Sequence, residues 1–339
     1  MGQKKPKYPL NQCALYKCKS KKRLEQILAI ETGDLKKIGT VIRYHTFYID
    51  KKDTNEKRHI TAPNPKIKQI QSRVLRLIQR VDRPEWLISG EKGKCYIDNG
   101  RYHLGSSYVL TMDIKSFYDN CKREYVYTFF RTKMLNEPDI AEILTDIVTF
   151  QGGIPTGCPT SQLIAYYAYE DMFKAIQECA AQFGCRFTLY VDDMTFSSQT
   201  PFDANRLKRE VDLILRKYEH RAKASKSRYY GKEKDKPITG TIVTGKHTLD
   251  IPNRLQQQVF ENFQATKNLN PAVATEDDEK RVLKLVGQIQ AARNIDGNRF
   301  PEIKRITSRV QSGMASVKNK KPKHKSSNYK KEKIKLSSN

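Results

Sequence analysis

The sequence lacks the features that would place a protein in a membrane or outside the cell. No apolar run approaches the roughly 18 residues of a membrane span, and no segment is typical of a secretory signal peptide. The 7 cysteines are scattered, without CxxC pairs or histidines at zinc-ligand spacing. We therefore expect reduced thiols in the cytoplasm rather than disulfides or a structural zinc site.

Acidic residues are few relative to basic ones. Lys and Arg number 63 against 37 Asp and Glu, which gives a formal net charge of +26. Residues 316–339 hold nine Lys and one Glu, so most of the excess lies on the rest of the chain. Such a charge predicts a polyanionic partner, most simply nucleic acid, and the Lys-rich tail is expected to be disordered when unbound.

Two adjacent acids separate two runs of β-branched and aromatic residues. They are Asp192 and Asp193, within FTLYVDDMTFSS at 187–198. The alternation predicts a β-hairpin with both acids at its tip. Adjacent carboxylates raise each other's pKa unless a cation neutralises them, so the pair suggests a metal site, although a solvated turn could carry the same residues.

A third acid, Asp113, ends the predicted buried strand YVLTMDI at 108–114. A carboxylate in that place is a metal ligand, a catalytic acid or a helix N-cap. Two Mg²⁺ ions that clamp the attacking and leaving oxygens of a phosphoryl transfer need carboxylates from separate strands. Asp113 with Asp192 and Asp193 supplies such a set.

The rest of the chain reads as alternating basic, helical and extended segments. A basic hairpin is predicted from 39 to 62, with Lys57 and Arg58 on its returning arm, where they could reach a triphosphate. Apolar periodicity and capping residues predict helices at 67–81, at 136–150, at 162–183 before a Gly184 cap, after Asp203 and over most of 250–313, and a strand at 238–243.

The Gly- and Pro-rich loop at 152–161 does not fit a P-loop NTPase. Gly152 and Gly157 have Walker A spacing, but Cys158 stands where the phosphate-binding Lys must be. Glycine still lets a backbone approach a nucleotide or base pair closely.

Taken in order, these segments resemble reverse transcriptases. YVDD at 190–193 is similar to the family's YxDD motif, and MDIKSFYDN at 112–120 is similar to its first carboxylate motif. GIPTGCPTSQLIAYYA at 153–168 resembles the family's Pro/Gly loop, and KRHITAP at 57–63 resembles its basic fingers run. The resemblance covers roughly residues 35–310.

Two short motifs point within that family to the bacterial retron type. NGRYH at 99–103 is similar to NAxxH, and ITG at 238–240 stands where the retron enzymes carry VTG. The chain departs from the family patterns at Gly100, Gln162, Tyr166, Val191 and Ile238, and its Lys-rich turn ASKSRYY lacks a Lys-Thr pair.

The resemblance implies an α+β, right-hand polymerase fold, with fingers, a palm built on an antiparallel sheet and a helical thumb. The implied segments are a basic N-terminal appendage at 1–35, fingers at 36–107, a palm at 108–250 with fingers helices inserted at about 121–153, a thumb at 251–315 and a disordered tail at 316–339.

The same resemblance implies an RNA-directed DNA polymerase. It would extend a primer hydroxyl with dNTPs on a structured noncoding RNA, using two Mg²⁺ ions per active site, and would yield single-stranded DNA linked to RNA. The expected partners are that RNA, the nascent DNA and a neighbouring effector protein in phage defence, with no membrane. The alternatives are a defence-associated or group II intron-like reverse transcriptase with different priming, and a noncatalytic RNA-binding scaffold.

Residue roles follow from the matched motifs. Asp113 and Asp192, with the backbone carbonyl of Ile114, are the implied metal ligands, and Asp193 completes the acidic cluster. The other implied roles are triphosphate binding by Lys57 and Arg58, exclusion of a ribose 2′-hydroxyl by Tyr118, contact with the nascent base pair by Thr156 and Gly157, and nucleic-acid binding by Asn99, His103, Lys226, Ile238, Thr239 and Gly240. A structural role for Asn99 and His103 is the competing interpretation.

Overall fold

The computed structural model describes residues 6–50 and 57–320. Backbone contacts divide the chain into two compact units, residues 1–250 and 251–339. Within the described ranges, no helix combines the length and the apolar character that a bilayer crossing demands.

The first unit mixes helices and strands. Its strands are β1 (Tyr44–Asp50), β2 (Lys57–Pro63), β3 (Tyr108–Asp113), β4 (Arg186–Tyr190), β5 (Asp193–Ser198), β6 (Arg228–Tyr230), β7 (Lys236–Ile238), β8 (Thr241–Val243) and β9 (Leu249–Asp250). Its helices are α1 (Lys21–Leu28), α2 (Ile38–Val41), α3 (Pro65–Ile78), α4 (Tyr96–Tyr102), α5 (Arg123–Thr128), α6 (Pro138–Val148), α7 (Ser161–Ala168), α8 (Glu170–Gln182) and α9 (Ala204–Lys217).

A four-stranded antiparallel sheet of order β4-β5-β3-β6 organises this unit. Because successive side chains of a strand point to opposite faces, the two faces have different neighbours. Leu110, Met112 and Met194 lie in the main hydrophobic core with the helices. On the other face Val109 packs with apolar residues of β7 and β8, and the smaller antiparallel sheet β7-β8-β9 and α4 contact the larger sheet's residues there. The sheet is therefore covered on both sides.

The N-terminal segment contributes to the same core. Cys13, Leu15, Leu24 and Leu28 are at most 4% exposed and belong to the cluster that contains the apolar face of α3. The prediction of an appendage at 1–35 is therefore wrong for residues 6–35, because their apolar side chains are buried in the main core.

The predicted basic hairpin forms, with shifted bounds. β1 and β2 pair along their whole length, from Tyr44 opposite Pro63 to Asp50 opposite Lys57. The hairpin was predicted to begin at residue 39, but residues 38–41 form α2. The predicted turn at 51–56 lies outside the described residues.

Three other boundaries differ from the sequence prediction. The helix expected at 162–183 is interrupted at Tyr169, a fully buried residue with φ −115° whose hydroxyl accepts a hydrogen bond from the Lys122 amide (2.9 Å). The strand expected at 238–243 turns back at Thr239 and Gly240, both at positive φ. Residues 316–320, expected to open a disordered tail, are helical, and 321–339 lie outside the described residues.

The second unit is helical in its described part. It contains α10 (Asn253–Thr266), α11 (Glu276–Ile295) and α12 (Pro301–Lys320). Val259, Leu285, Ile289 and Ile303 form one buried cluster between the helices. Thr275 and Asp278 form a capping box that fixes the start of α11.

A buried histidine lies without polar support in the core of the first unit. His220 is 0% exposed and packs against the rings of Phe117 and Tyr169 at 5.3 and 4.6 Å. Among the described residues, neither of its ring nitrogens has a hydrogen-bond partner. Burial lowers the pKa of this histidine to about 4, so the folded protein holds it neutral.

Replacement of His220 by Phe should make the protein more resistant to acid. The unfolded chain takes up a proton at this residue below about pH 6.5 and the folded protein does not, so stability falls as pH drops from about 6.5 to about 4. This linkage costs roughly 2 kcal/mol at pH 5, which His220→Phe removes. Thermal denaturation at pH 7.5 and pH 5 measures it, with exposed His45→Phe as control. An equal difference in Tm from wild type at both pH values would contradict the assignment.

Candidate active site

The three acids meet where the strands of the central sheet end. Antiparallel pairing of β3 with β5 places Asp113 directly opposite Asp193. Asp192 precedes β5 in the tight turn from β4, and its carbonyl accepts a hydrogen bond from the Ile114 amide (3.1 Å). The turn requires Val191 at φ 61°, and its amide donates to the Ser89 hydroxyl (2.9 Å). The predicted hairpin with acids at its tip is thus present.

The acids raise one another's pKa. Burial is the largest cause for Asp193, followed by the charges of Asp192 and Asp113, and together they raise the pKa of this carboxyl to about 7. Burial and the charge of Asp113 also raise the pKa of Asp192. Burial and mutual repulsion both disfavour the charged carboxylates, and a nearby cation would favour them.

Lys226 supplies part of that positive charge. Its Nζ is 2.6 Å from Oδ2 of Asp113, whose side chain is 7% exposed. Burial lowers the pKa of Lys226, but the hydrogen bond and the charges of all three acids outweigh it and raise the pKa overall. The contact links β3 to the Lys-rich turn 224–230, which sequence comparison alone could not place.

The carboxylates of Asp113, Asp192 and Asp193 are chemically suited to bind a cation, but in this structure they are not positioned as the ligands of one metal ion. Among the described residues, no group of three or more His, Cys, Asp or Glu side chains forms a ready-made metal site. The ammonium of Lys226 stands where a cation is needed beside Asp113. Ile114 and Ala222 form a β-bridge whose two hydrogen bonds are made by their neighbours. The Lys115 amide donates to the Arg221 carbonyl, and the Lys223 amide donates to the Asp113 carbonyl. This bridge therefore does not use the Ile114 carbonyl.

A cavity of about 210 Å³ opens beside two of the acids. Asp113, Asp193 and Lys226 line it on one side, and Thr239 from the β7–β8 turn lines it on another. Arg228 adds a further positive charge to the wall. The cavity therefore carries charged groups of both signs and is bounded by residues of the four-stranded sheet and of the β7-β8-β9 sheet with its turn.

Another group of predicted residues lies on the side of Asp192. The half-buried Tyr118 has a pKa raised by burial, by Cys121 and by the charge of Asp192, and lowered by the charge of Arg58. The charge of Arg58 also lowers the pKa of Asp192. Arg58, Tyr118 and Asp192 are thus within electrostatic reach of one another, and Lys57 is exposed next to Arg58 on β2.

The Gly/Pro loop is fastened to the strand that carries Arg58. The Gly157 amide donates to the Thr61 carbonyl (3.0 Å), and the Thr156 hydroxyl donates to the His59 carbonyl (3.2 Å). A Cβ at Gly157 would lie 2.6 Å from the Thr61 carbonyl oxygen. Only glycine permits this approach, so the loop and β2 move together.

The two retron-type motifs meet inside the protein, not at its surface. Asn99, His103 and Ile238 are each 0% exposed. Fully buried side chains cannot touch a nucleic acid, so the direct nucleic-acid contact predicted for these three residues is wrong. The half-buried Thr239 and the exposed Gly240 remain accessible.

Sequence reasoning missed the partners of these buried residues. Thr188 and Ser197, both 0% exposed, are hydrogen-bonded to His103 at 2.7 Å each. Thr188 gave a signal in the sequence, since it is a hydroxyl residue between Phe187 and Leu189, whereas Ser197 stands beside another serine and gave none. Ser89, which holds the amide of Val191, carried no signal in its own stretch.

Comparisons with known proteins identify the family of the chain. A family model described as "Reverse transcriptase (RNA-dependent DNA polymerase)" matches residues 49–243. The chain is similar to the retron Se72 reverse transcriptase of Salmonella heidelberg (strain 579083-10), with 25% identity over 194 residues, 56% of this chain and 51% of the relative. It is similar to the retron Ec86 reverse transcriptase of Escherichia coli, with 27% identity over 175 residues, 51% of this chain and 54% of the relative. The predicted resemblance to retron-type enzymes is confirmed.

Coverage of these proteins is partial. The chain spans about half the length of the curated relatives it matches. Among solved structures, an apo telomerase from Candida tropicalis, truncated from its C-terminal domain, aligns over 63% of this chain and 55% of its own, with a TM-score of 0.46 and 11% identity.

Replacement of Asp193 by Asn should stabilise the metal-free protein at alkaline pH. The pKa of this carboxyl is about 7 when folded and 3.8 ordinarily. The folded protein therefore holds the proton more tightly, and stability falls as pH rises from about 4 to about 7. With EDTA present, the Tm of Asp193→Asn should exceed wild type by several degrees at pH 8 and by little at pH 4.5. Asp139→Asn, which changes an exposed acid, is the control; an Asp193→Asn protein less stable than wild type at pH 8 would overturn this account.

Proposed function

Because the chain belongs to the reverse transcriptase (RNA-dependent DNA polymerase) family, we propose that it is an RNA-directed DNA polymerase of the retron type. It extends a primer hydroxyl with dNTPs on a structured noncoding RNA. The product is a single-stranded DNA linked to RNA, and the complex serves phage defence together with a neighbouring effector protein. The similarity to retron reverse transcriptases and the two retron-type motifs support this type.

The observation that carries the proposal is the acidic cluster at the paired strand ends. Asp113 and Asp193 are opposed in register, Asp192 adjoins them, and burial, followed by the charges of Asp192 and Asp113, raises the pKa of Asp193 to about 7. A site under this electrostatic strain gains stability when a cation binds. A noncatalytic scaffold would have no need of buried, mutually repelling acids.

The chain's own residues position the reactants. Reverse transcriptases generally use divalent metal ions, and two Mg²⁺ ions held by Asp113, Asp192 and the Ile114 carbonyl, with Asp193 beside them, would neutralise charge on the attacking and leaving oxygens. Arg58, with Lys57 next to it, binds the triphosphate, since a guanidinium contacts phosphate through two parallel hydrogen bonds.

Tyr118 and the Gly/Pro loop complete the nucleotide side. Tyr118 closes the space beside Asp192 against a ribose 2′-hydroxyl. Thr156 and Gly157 face the nascent base pair from a loop that is hydrogen-bonded to β2. Positioning of this kind supplies much of the rate enhancement in phosphoryl transfer.

We propose that the chain is divided as a right-hand polymerase is, with fingers and palm in the first unit and a thumb in the second. We assign fingers to 36–107, a palm to 108–250 with fingers helices inserted at about 121–153, and a thumb to 251–315. Exposed Lys280, Arg281 and Lys284 in the first half of α11 offer phosphate contacts to structured RNA.

Replacement of Asp192 by Asn should abolish DNA synthesis and leave RNA binding intact, because the amide keeps the shape of the site but loses its charge. The protein and its native flanking DNA are expressed together, and co-purifying nucleic acid is sized after RNase, DNase and debranching enzyme treatment. We expect wild type to carry a short DNA joined to RNA through a 2′,5′ branch, and Asp192→Asn to carry RNA alone. Asp139→Asn should match wild type.

The other outcomes separate the alternatives. Unbranched DNA in wild type would retain the polymerase and reject the retron type in favour of different priming. RNA alone in wild type, together with no Mg²⁺-dependent dNTP incorporation on several primer-templates, would favour the scaffold. DNA synthesis by Asp192→Asn at the wild-type level would refute the site.

Replacement of Arg58 should weaken dNTP binding by an amount that depends on geometry as well as charge. Arg58→Gln should raise the KM for dNTP about tenfold or more, and Arg58→Lys by less, because Lys keeps the charge but not the two-pronged contact. Steady-state incorporation with varied dNTP measures both, with exposed Arg76→Gln as control. An unchanged KM in Arg58→Gln would remove this residue from the triphosphate site.

A further inference from the structure

A chain of hydrogen bonds runs along the face of the central sheet that packs against α4, β7 and β8, and it ends at the cavity wall. Its members come from the α4 region, from β4 and β5, and from the β7–β8 turn. We call it the buried relay; it consists of Ser106, Ser197, His103, Thr188, Asn99 and Thr239, joined in that order by contacts of 2.9, 2.7, 2.7, 2.6 and 2.8 Å. All but Thr239 are at most 2% exposed.

The hydrogens of the relay can be oriented one after another. The Thr188 hydroxyl donates to Oδ1 of Asn99, so it must accept from Nε2–H of His103. Burial, and then the charge of Arg186, lower the pKa of His103 to about 3, so the ring is neutral. Its Nδ1 therefore accepts from Ser197, which in turn accepts from Ser106. Every donor in the relay points the same way, towards Thr239.

The relay ends on the wall of the active-site cavity. Nδ2 of Asn99 donates to Oγ1 of Thr239. Thr239 has φ 40°, an unfavourable backbone conformation for a β-branched residue, and it shares the cavity with Asp113 and Asp193. A strained turn persists where surrounding contacts impose it, and the bond from Asn99 is such a contact.

Two inner members of the relay lie on β4 and β5, the strands joined by the turn that carries Asp192. Thr188 lies two residues before Tyr190, the cross-strand partner of Asp193. Ser197 lies on β5, the strand that Asp193 begins. The relay therefore ties the β7–β8 turn to β4 and to β5, of which β5 begins with Asp193 and pairs with the strand that ends in Asp113.

We propose that Asn99, His103 and Thr188 are positioning residues that set the β7–β8 turn at a fixed distance from Asp113 and Asp193, so that the cavity between them holds the end of the strand being extended. The inference rests on the proposed polymerase function.

We assign the cavity to the end of the growing strand because the dNTP has a place elsewhere. The charge of Arg58 affects the pKa values of Tyr118 and Asp192, whereas Thr239 lines the cavity with Asp113 and Asp193. Damage to the relay should accordingly slow turnover without weakening dNTP binding.

Thr188 offers the sharpest test because it lies in the middle of the relay and away from the cavity. Thr188→Val keeps the shape of the side chain and removes both hydrogen bonds. Thr188→Ser keeps the hydroxyl and serves as the conservative variant. Thr145→Val is the matched control, since Thr145 is also 0% exposed and its hydroxyl bonds to the Ala141 carbonyl (2.7 Å) in α6. Thr239→Val breaks the relay at its accessible end if Thr188→Val does not fold.

Steady-state dNTP incorporation by the full chain separates positioning from stability. We expect Thr188→Val to lower kcat by about tenfold to a hundredfold, with the KM for dNTP within about twofold of wild type. Thr188→Ser should recover most of the loss. Thr145→Val should lose Tm and keep its kcat at a temperature where it is folded. A Thr188→Val enzyme that loses Tm but keeps its kcat would overturn the proposal.

A second readout does not depend on polymerase activity. Amide hydrogen exchange across residues 236–243, measured without substrate, should be faster in Thr188→Val than in wild type or Thr145→Val. Unchanged exchange would overturn the coupling between the sheet and the turn. If wild type incorporates no dNTP and exchange across these residues is still faster in Thr188→Val than in wild type, the coupling between sheet and turn is supported and the polymerase function is rejected.

Discussion

Repulsion between carboxylates at the paired ends of β3 and β5 is the constraint around which the first unit is built. Asp113 and Asp193 face each other in register, and a slip of one residue would separate them but would also turn Met112 and Met194 out of the core. Apolar burial thus holds two negative charges together against their repulsion. Lys226 offsets part of that repulsion, while burial and the charges of the other two acids raise the pKa of Asp193.

The acids also divide the site into two sides. Asp192 lies in the turn before β5 and is acted on by Arg58, with Tyr118 within electrostatic reach. Asp113 and Asp193 line a cavity with Lys226 and Thr239. The proposed reaction joins two substrates and needs a separate place for each, and these two sides are the places that we assign to them. Asp192 lies with Val191 in the tight turn between β4 and β5, whereas Asp193 is the first residue of β5.

Much of this could be predicted from the sequence, for reasons that are local. The hairpin tip, the strand ending at Asp113, the β1–β2 hairpin and the Asp203 cap all depend on patterns within about a dozen residues. The missed features depend on contacts between distant segments. Tyr169, at which a helical pattern is interrupted, accepts a hydrogen bond from the distant amide of Lys122, and the apolar side chains of residues 6–35 are buried with α3. The burial of Asn99 and His103 needed partners 89 and 94 residues away.

The hydroxyls of the buried relay, on the face of the central sheet towards β7 and β8, are explained better by a role in fixing geometry than by a contribution to stability. A fully satisfied hydrogen bond adds only about 1 kcal/mol net, and apolar residues of the same shape would stabilise the sheet about as well. A directed chain of donors differs from apolar packing in one respect, since each member accepts a single arrangement of its neighbours. Apolar contacts between the sheet and the β7–β8 turn would tolerate small sliding motions. The bonds through Thr188 and Asn99 do not, and this fixes the wall that faces the acids.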